Sequence, residues 1–377
     1  MKNVKEIELL DVLKELPNIT SLDCDKDFSD DNYDVFFCAL GFEERCLTIP
    51  DKLANVKNLK CVQALYFEYL TNTENNSVNR PRLIGAFEKF AESWDTLQCD
   101  NEDFTDNLRK CLSRLNECQQ SNQKLKVILD ISVCSSKLIL SAIKVFFEFD
   151  IYLKIVYSEA ITYHPTYEEF QREPEKWTTE EGFGIAQGVS NVIPSPEYPG
   201  IRRENPDLII AFPTFKPERT NTIITYIDEA ALMRQRDRII WIIGDPHMDE
   251  DIKQKRKDII RKINKIPDDI ASYEVSTFDY KETLKALEGI YKNKGLEYHM
   301  NISALGSKMQ SLGISVFAYI RPDVSVYLAI PQKYNPSQYS EGCKATWQIN
   351  FGDLTNIRNI LNKEGKLEVI NYTKTRE

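Results

Sequence analysis

Histidine, glycine and long apolar runs are all scarce in this chain. The three histidines, at positions 164, 247 and 299, form neither an HxH nor an HExxH spacing, so no metal site is expected. Fourteen glycines are spread over 377 residues and compose no GxGxxG, no Walker-type lysine loop and no GxSxG elbow. That removes the ordinary dehydrogenase, NTPase and hydrolase readings. No uncharged apolar stretch reaches the roughly eighteen residues that a membrane helix needs, so no membrane partner is expected. Glu6 and Glu8 stand where a secretory signal would carry its apolar core. A basic surplus is also missing. The formal charge is −10, with 58 acidic against 48 basic residues, which argues against direct binding to duplex nucleic acid. Nine cysteines, an odd number, include no CxxC pair, so reduced thiols in a cytoplasmic protein are expected.

What the chain does contain is itself, twice. Asp130-Ile-Ser-Val-Cys-Ser-Ser-Lys137 aligns without a gap on Asn301-Ile-Ser-Ala-Leu-Gly-Ser-Lys308. Each stretch reads as the end of a buried strand, a short turn and the start of an apolar helix. Tyr163-His164-Pro165 recurs as Tyr334-Asn335-Pro336, and Glu181-Gly182 with Gln187 as Glu341-Gly342 with Gln348. Upstream, each copy opens with an apolar strand running into a Glu-Arg pair, Glu44-Arg45 and Glu218-Arg219. Two copies of domain size make a duplicated fold, not a solenoid.

Strands alternating with helices predict an α/β fold: two tandem Rossmann-like repeats with mainly parallel sheets, related by a pseudo-two-fold axis. The expected division is a lead-in at 1–33, a first repeat at 34–195, a linker at 196–206, a second repeat at 207–350 and a tail at 351–377. Residues 72–79 read as a loop. Residues 171–206, with five prolines, read as linker or lid, too proline-rich for a helix. The tail is expected to hold a helix at 353–362 and an edge strand at 367–372. The basic run from Lys253 to Lys265 reads as a solvated helix face, because isoleucines at 252, 259, 260, 263 and 266 mark its buried stripe.

Ligands of parallel sheets bind at the carboxyl ends of the strands. Arg45, Arg219 and both Ser-Lys turns fall there. Backbone N–H groups at a helix start, a hydroxyl and a lysine suit a phosphate or a carboxylate. Lysine on a first helical turn opposes the helix dipole, so its recurrence as Lys137 and Lys308 favours anion contact over plain exposure. Ser136, Ser303 and Ser307 are candidates for the same anion or for N-caps. Gly306 allows close approach to a ligand. Asp130 in one copy stands against Asn301 in the other: an amide donates to phosphate, and an ionised carboxylate only accepts.

The turn Asn301-Ile-Ser-Ala-Leu-Gly-Ser-Lys-Met309 resembles the Asn-Ile-Thr-Gly-Gly-Thr-Lys-Met type of turn in CARF (CRISPR-associated Rossmann-fold) proteins, and the duplication is similar to that of SAVED domains. The resemblance covers one short motif per repeat, with Ala304-Leu305 and Val133-Cys134-Ser135 departing from it. It implies a sensor of a nucleotide second messenger, cyclic oligonucleotides included, in a prokaryotic antiviral defence system. The partners implied are a small anionic nucleotide and a separate effector protein, with no cofactor. Asn301, Ser307, Lys308, Ser136 and Lys137 would face the ligand phosphates. A metal-independent phosphodiesterase or transferase, and a scaffold subunit with a vestigial pocket, are the alternative expectations.

Overall fold

A computed structural model describes residues 9–28, 32–118, 123–174, 189–201, 204–233, 238–270, 272–331 and 339–362. Among them the strands are β1 (Ile19–Ser21), β2 (Asn32–Leu40), β3 (Lys60–Glu68), β4 (Ala91–Gln98), β5 (Leu125–Asp130), β6 (Ile151–Glu159), β7 (Thr162–Tyr163) and β8 (Val189–Pro194). After these come β9 (Asp207–Ala211), β10 (Ile239–Asp245), β11 (Ser272–Ser276), β12 (His299–Ser303), β13 (Ser325–Pro331), β14 (Ser340–Glu341) and β15 (Ala345–Asp353).

Two large sheets result. One runs β1-β15-β6-β5-β2-β3-β4 and the other β11-β10-β9-β12-β13-β8. Strands β2 to β6 pair in parallel, as do β9 to β13. The protein is therefore α/β with mainly parallel sheets. Numbering the five parallel strands of each half in chain order, both sheets run 3-2-1-4-5, and a sixth, antiparallel strand lies beside the fifth.

That sixth strand is exchanged. β8 follows the first half in sequence but pairs antiparallel with β13 of the second sheet, Tyr327 opposite Pro194. β15 follows the second half but pairs antiparallel with β6 of the first sheet, Trp347 opposite Tyr157. The sheets thus cross the boundaries expected at 195 and 350. The lead-in is not separate either, since β1 pairs antiparallel with β15. Preceding it, the helix Leu9–Glu15 is held to the second half by Lys281 Nζ, which donates to Leu13 O at 2.8 Å.

The helices Ser136–Phe146 and Lys308–Ile320, which follow the two repeated turns, are buried on nearly every side, as their near-continuous apolar sequences require. They pack on one another, and Ser311 Oγ lies 2.9 Å from Ser136 Oγ. One apolar cluster runs through this contact from Phe37 and Phe146 of the first half to Ile302 and Phe317 of the second. Behind the second helix, Arg321 pairs with Glu288, both side chains buried. Burial of such a pair is tolerated because each charge has its partner.

Several local expectations are corrected. Residues 72–79 are not wholly loop, because Thr73–Ser77 is helical. Within 171–206 the structure has β8 and the end of the helix Tyr167–Arg172. Sequence reading placed no strand at β4 or β11. Both are third strands at the outer edge of their sheets, and β4 is mostly exposed, so neither carries an apolar alternation. The tail helix occupies 354–362. The expected strand at 367–372 and the matched positions 181–187 and 334–336 lie outside the described residues.

Candidate functional site

The carboxyl ends of both sets of strands open onto one cavity of about 830 Å³ that lies between the halves. Arg45, Ser136 and Lys137 line it from the first half, and Arg219, Gly306, Ser307 and Lys308 from the second. Topology brings them there, since each follows the carboxyl end of a parallel strand.

Lys308 and Lys137 are not equivalent, although the sequences align without a gap. Ser307 caps the second helix, accepting from Gln310 N at 3.1 Å, while Gln310 Oε1 accepts from Ser307 N at 2.9 Å. The cap of the first helix is Ser135, which accepts from Leu138 N at 3.2 Å. With caps superposed, Lys308 falls opposite Ser136. Lys137 sits one residue further on, about 100° round the helix. Its ammonium stays in its own half and donates to Asp100 O at 3.3 Å. The Lys308 ammonium instead acts on groups of the other half. Burial, together with the Arg45 guanidinium, pushes it below the usual lysine range, while Glu43, Cys134 and Asp130 oppose that shift. It makes no hydrogen bond or ion pair with any described residue.

The two arginines differ in the same sense. Arg45 is held at both ends: Nη1 donates to Ser158 O at 2.8 Å and Nη2 to Glu43 Oε1 at 2.9 Å. Its partner is thus Glu43, not the adjacent Glu44. Burial opposes ionisation of Glu43, but Arg45, Lys308 and the Ser340 hydroxyl together hold its carboxyl below the usual range. In Arg219, by contrast, Nε and Nη2 are buried without a hydrogen-bond partner. Lys216 nearby has its ammonium 4.8 Å from the centre of the Tyr339 ring. Burial, then Arg219, pushes its pKa well down.

Five of the expected contacts are corrected. Asn301 is buried and faces away from the cavity, donating to Asp207 Oδ1 at 2.9 Å and to His299 O at 3.1 Å. Ser303 is fully buried, and its Oγ accepts from Phe212 N at 3.1 Å, tying β12 to the end of β9. Asp130 lies buried beneath the turn, where Oδ1 accepts from Ser132 N at 2.8 Å and Oδ2 has no partner. Burial pushes its carboxyl up to about 7, against the opposing pull of the Ser132 bonds, Arg45 and Lys308. Ser307 spends its proton on Thr277 O at 2.6 Å, so it closes a turn rather than donating into the cavity. At Gly306 a Cβ would come within 2.5 Å of Gln310 Oε1, so this glycine makes room for the capping box.

The cavity also holds residues outside the repeated turns and the two arginines. Glu159, buried at the end of β6, accepts from Trp347 Nε1 at 3.0 Å and lies 3.3 Å from His247 Nδ1. His247 stacks on Phe278, with ring centres 4.7 Å apart. His164 Nδ1 lies 2.8 Å from Glu169 Oε2, and Arg256 Nη1 donates to Pro165 O at 2.6 Å. The recurrence of Tyr163-His164-Pro165 was the available signal for that corner. Arg256 belongs to the basic run expected to be solvated, yet it is largely desolvated and its pKa is pushed down to about 10. Lys257 of the same run is buried against Glu274 at 2.8 Å. Among the described residues, no group of three or more His, Cys, Asp or Glu side chains is placed to hold a metal ion. No described helix is long and apolar enough to cross a membrane.

No family profile and no curated protein matches the sequence. Among solved structures, the chain is similar to the cytoplasmic domain of a prokaryotic cation chloride cotransporter. The TM-score is 0.24 at 9% identity, over 81% of this chain and 99% of that one. It is also similar to a universal stress protein from Archaeoglobus fulgidus, with a TM-score of 0.22 at 10% identity, over 79% and 96%. Likenesses this slight carry no functional argument.

Proposed function

We propose that this protein is a cytoplasmic sensor of an anionic nucleotide second messenger in a prokaryotic defence system, acting on a separate partner protein. The observation that carries the reading is Lys308: a half-buried ammonium at the cavity wall with no hydrogen bond or ion pair to any described residue. The Glu43 carboxylate is near enough to oppose loss of that charge but does not bond it, and an entering phosphate supplies the missing hydrogen-bonded partner. Arg219, with two buried guanidinium nitrogens unpartnered, supports the same reading. So does the resemblance of the 301–309 turn to those of CARF proteins.

The test is a thermal-shift and titration screen of cyclic and linear nucleotides on the wild type, Lys308→Met and Lys137→Met. A specific ligand raises the melting temperature by linkage. Loss of one charge-assisted hydrogen bond, about 1.5–3 kcal/mol, lowers affinity roughly tenfold to a hundredfold in Lys308→Met. Lys137→Met loses less, because its ammonium already has the Asp100 carbonyl. Equal losses would mean that both lysines hold the ligand. Silence toward every nucleotide would overturn the reading.

Ligand cleavage is the second reading, and the Glu159–His247 pair favours it. A carboxylate only accepts, so in the neutral ring His247 Nδ1 carries the proton and Nε2 keeps its lone pair, as a general base requires. Turnover that persists in chelator and disappears in His247→Ala would establish it.

A further inference from the structure

The two walls of the cavity are chemically unlike. From residues 45–164 of the first half the lining includes Tyr69, Asp100, Glu102, Tyr157, Glu159 and Tyr163, and it includes no Ile, Leu, Val, Met, Phe or Pro. From the second sheet it includes Phe212, Ile242, Met248, Phe278, Leu328 and Ile330. These sets occupy corresponding places. Tyr69 and Asp100 lie just past the second and third strands β3 and β4, where Met248 and Phe278 follow β10 and β11. Tyr157 and Glu159 lie on β6, where Leu328 and Ile330 lie on β13. Duplication has kept the frame and divided the chemistry.

We propose that the cavity takes one unsymmetrical nucleotide in a single orientation, its base on the apolar wall of the second half and its sugar hydroxyls on the polar wall of the first. This rests on the nucleotide reading above and narrows it. Only the Phe212–Phe278 side offers a base ring stacking together with aliphatic packing, from Ile242, Met248, Leu328 and Ile330. Carboxylate acceptors for ribose hydroxyls line the cavity only on the side of Asp100, Glu102 and Glu159. Those carboxylates repel phosphate, which therefore belongs at the seam, where Lys308 approaches Arg45. Arg45 also points to a ligand there: its side chain is only 3% exposed and its Nε is buried without a partner. A two-fold-symmetric ring would present the same group to both walls and leave one mismatched. The volume falls inside the usual range for small-ligand sites, about 300–1,000 Å³.

The experiment is calorimetric titration of the full chain with four probes. Two are symmetrical rings, cyclic di-AMP and cyclic tetra-AMP. Two are unsymmetrical, linear 5′-phosphorylated diadenylate and the mixed ring of AMP and GMP. The expected result is one site per chain and at least about tenfold tighter binding of an unsymmetrical probe. Phe278→Ala and Met248→Ala should each weaken that probe, Phe278→Ala by about tenfold through lost base stacking. Met248→Ala serves as the control should loss of Phe278 disturb Trp347 and the fold. Tighter binding of a symmetrical ring would overturn this inference and leave the nucleotide reading standing. Failure of all four to bind would overturn both. Unchanged affinity in both folded variants would overturn the assignment of the walls.

Discussion

At the strand ends facing the cavity, the first half presents Asp100, Glu159 and three hydroxyl-bearing rings, while the second presents Ile242, Met248 and Phe278. The difference reaches the helices behind. Where Arg321 of the second half pairs with Glu288 in the interior, the same distance past the cap in the first half brings Phe149. Where the second helix has Gly313, the first has Ser141, whose hydroxyl lies 2.5 Å from Glu197 Oε1. Strand order is common to the halves, and side-chain chemistry is not. A sheet needs only period and burial from its residues, so one frame carries two kinds of wall.

The largest effect that would break this comparison is expected at the buried ion pair. Glu288→Ala leaves the Arg321 guanidinium buried with its carboxylate removed, so denaturant unfolding should show a loss of about 3–5 kcal/mol. A loss below about 1 kcal/mol would mean that the pair is solvated and that the second core is no different in kind from the first.

Asp130 gives the next effect, and only the first half carries a carboxyl beneath its turn. Its folded pKa, about 7, is raised above the unfolded value by burial. The stability it contributes is full below the unfolded pKa, near 4, and is lost as pH rises through about 7. Between pH 5 and 7 the wild type should therefore lose about 2 kcal/mol relative to Asp130→Asn. Unfolding curves of both proteins across that range measure it. Parallel curves would show that Lys308 and Arg45 keep the carboxyl ionised.

Gly313→Ala is expected to cost the least, about 1–2 kcal/mol by overpacking. Its Cβ would meet Tyr280 O at 2.6 Å and Thr283 Cβ at 2.7 Å. Backbone oxygen cannot swing aside as a side chain does. A melting temperature unchanged by this substitution would mean that the helices Tyr280–Lys294 and Lys308–Ile320 are less closely held than their contact implies.

The inner strands β2, β5 and β9 were legible because they carry near-continuous apolar runs, as parallel strands covered on both faces do. β4 and β11 were not, since an edge strand exposed to water needs no such pattern. The exchange of β8 and β15 was illegible for a different reason: alternation shows that a segment is a strand, but not which sheet receives it. At the site, the duplicated turns correctly led to one edge of each sheet, and both lysines line the cavity. The offset between them was hidden because Ser135 and Ser136 are both competent caps. Only the hydrogen bond from Leu138 N distinguishes them. Asn301 was misplaced because a polar residue late in a strand reads equally well as a ligand contact or as an internal tie, and Asp207 decides for the tie.

The traded sixth strands govern how the molecule comes apart. Each half finishes the other's sheet, so neither β6 nor β13 keeps its outer neighbour if the halves separate. Separation would expose two strand edges at once, each with a row of unsatisfied amide and carbonyl groups. The two halves follow one another along the chain with the same strand order, yet each sheet is completed only by a strand of the other half. A peptide-bond break in the stretch between β8 and β9 would leave two fragments clasped by the strands they exchanged, able to part only by surrendering both sheets together.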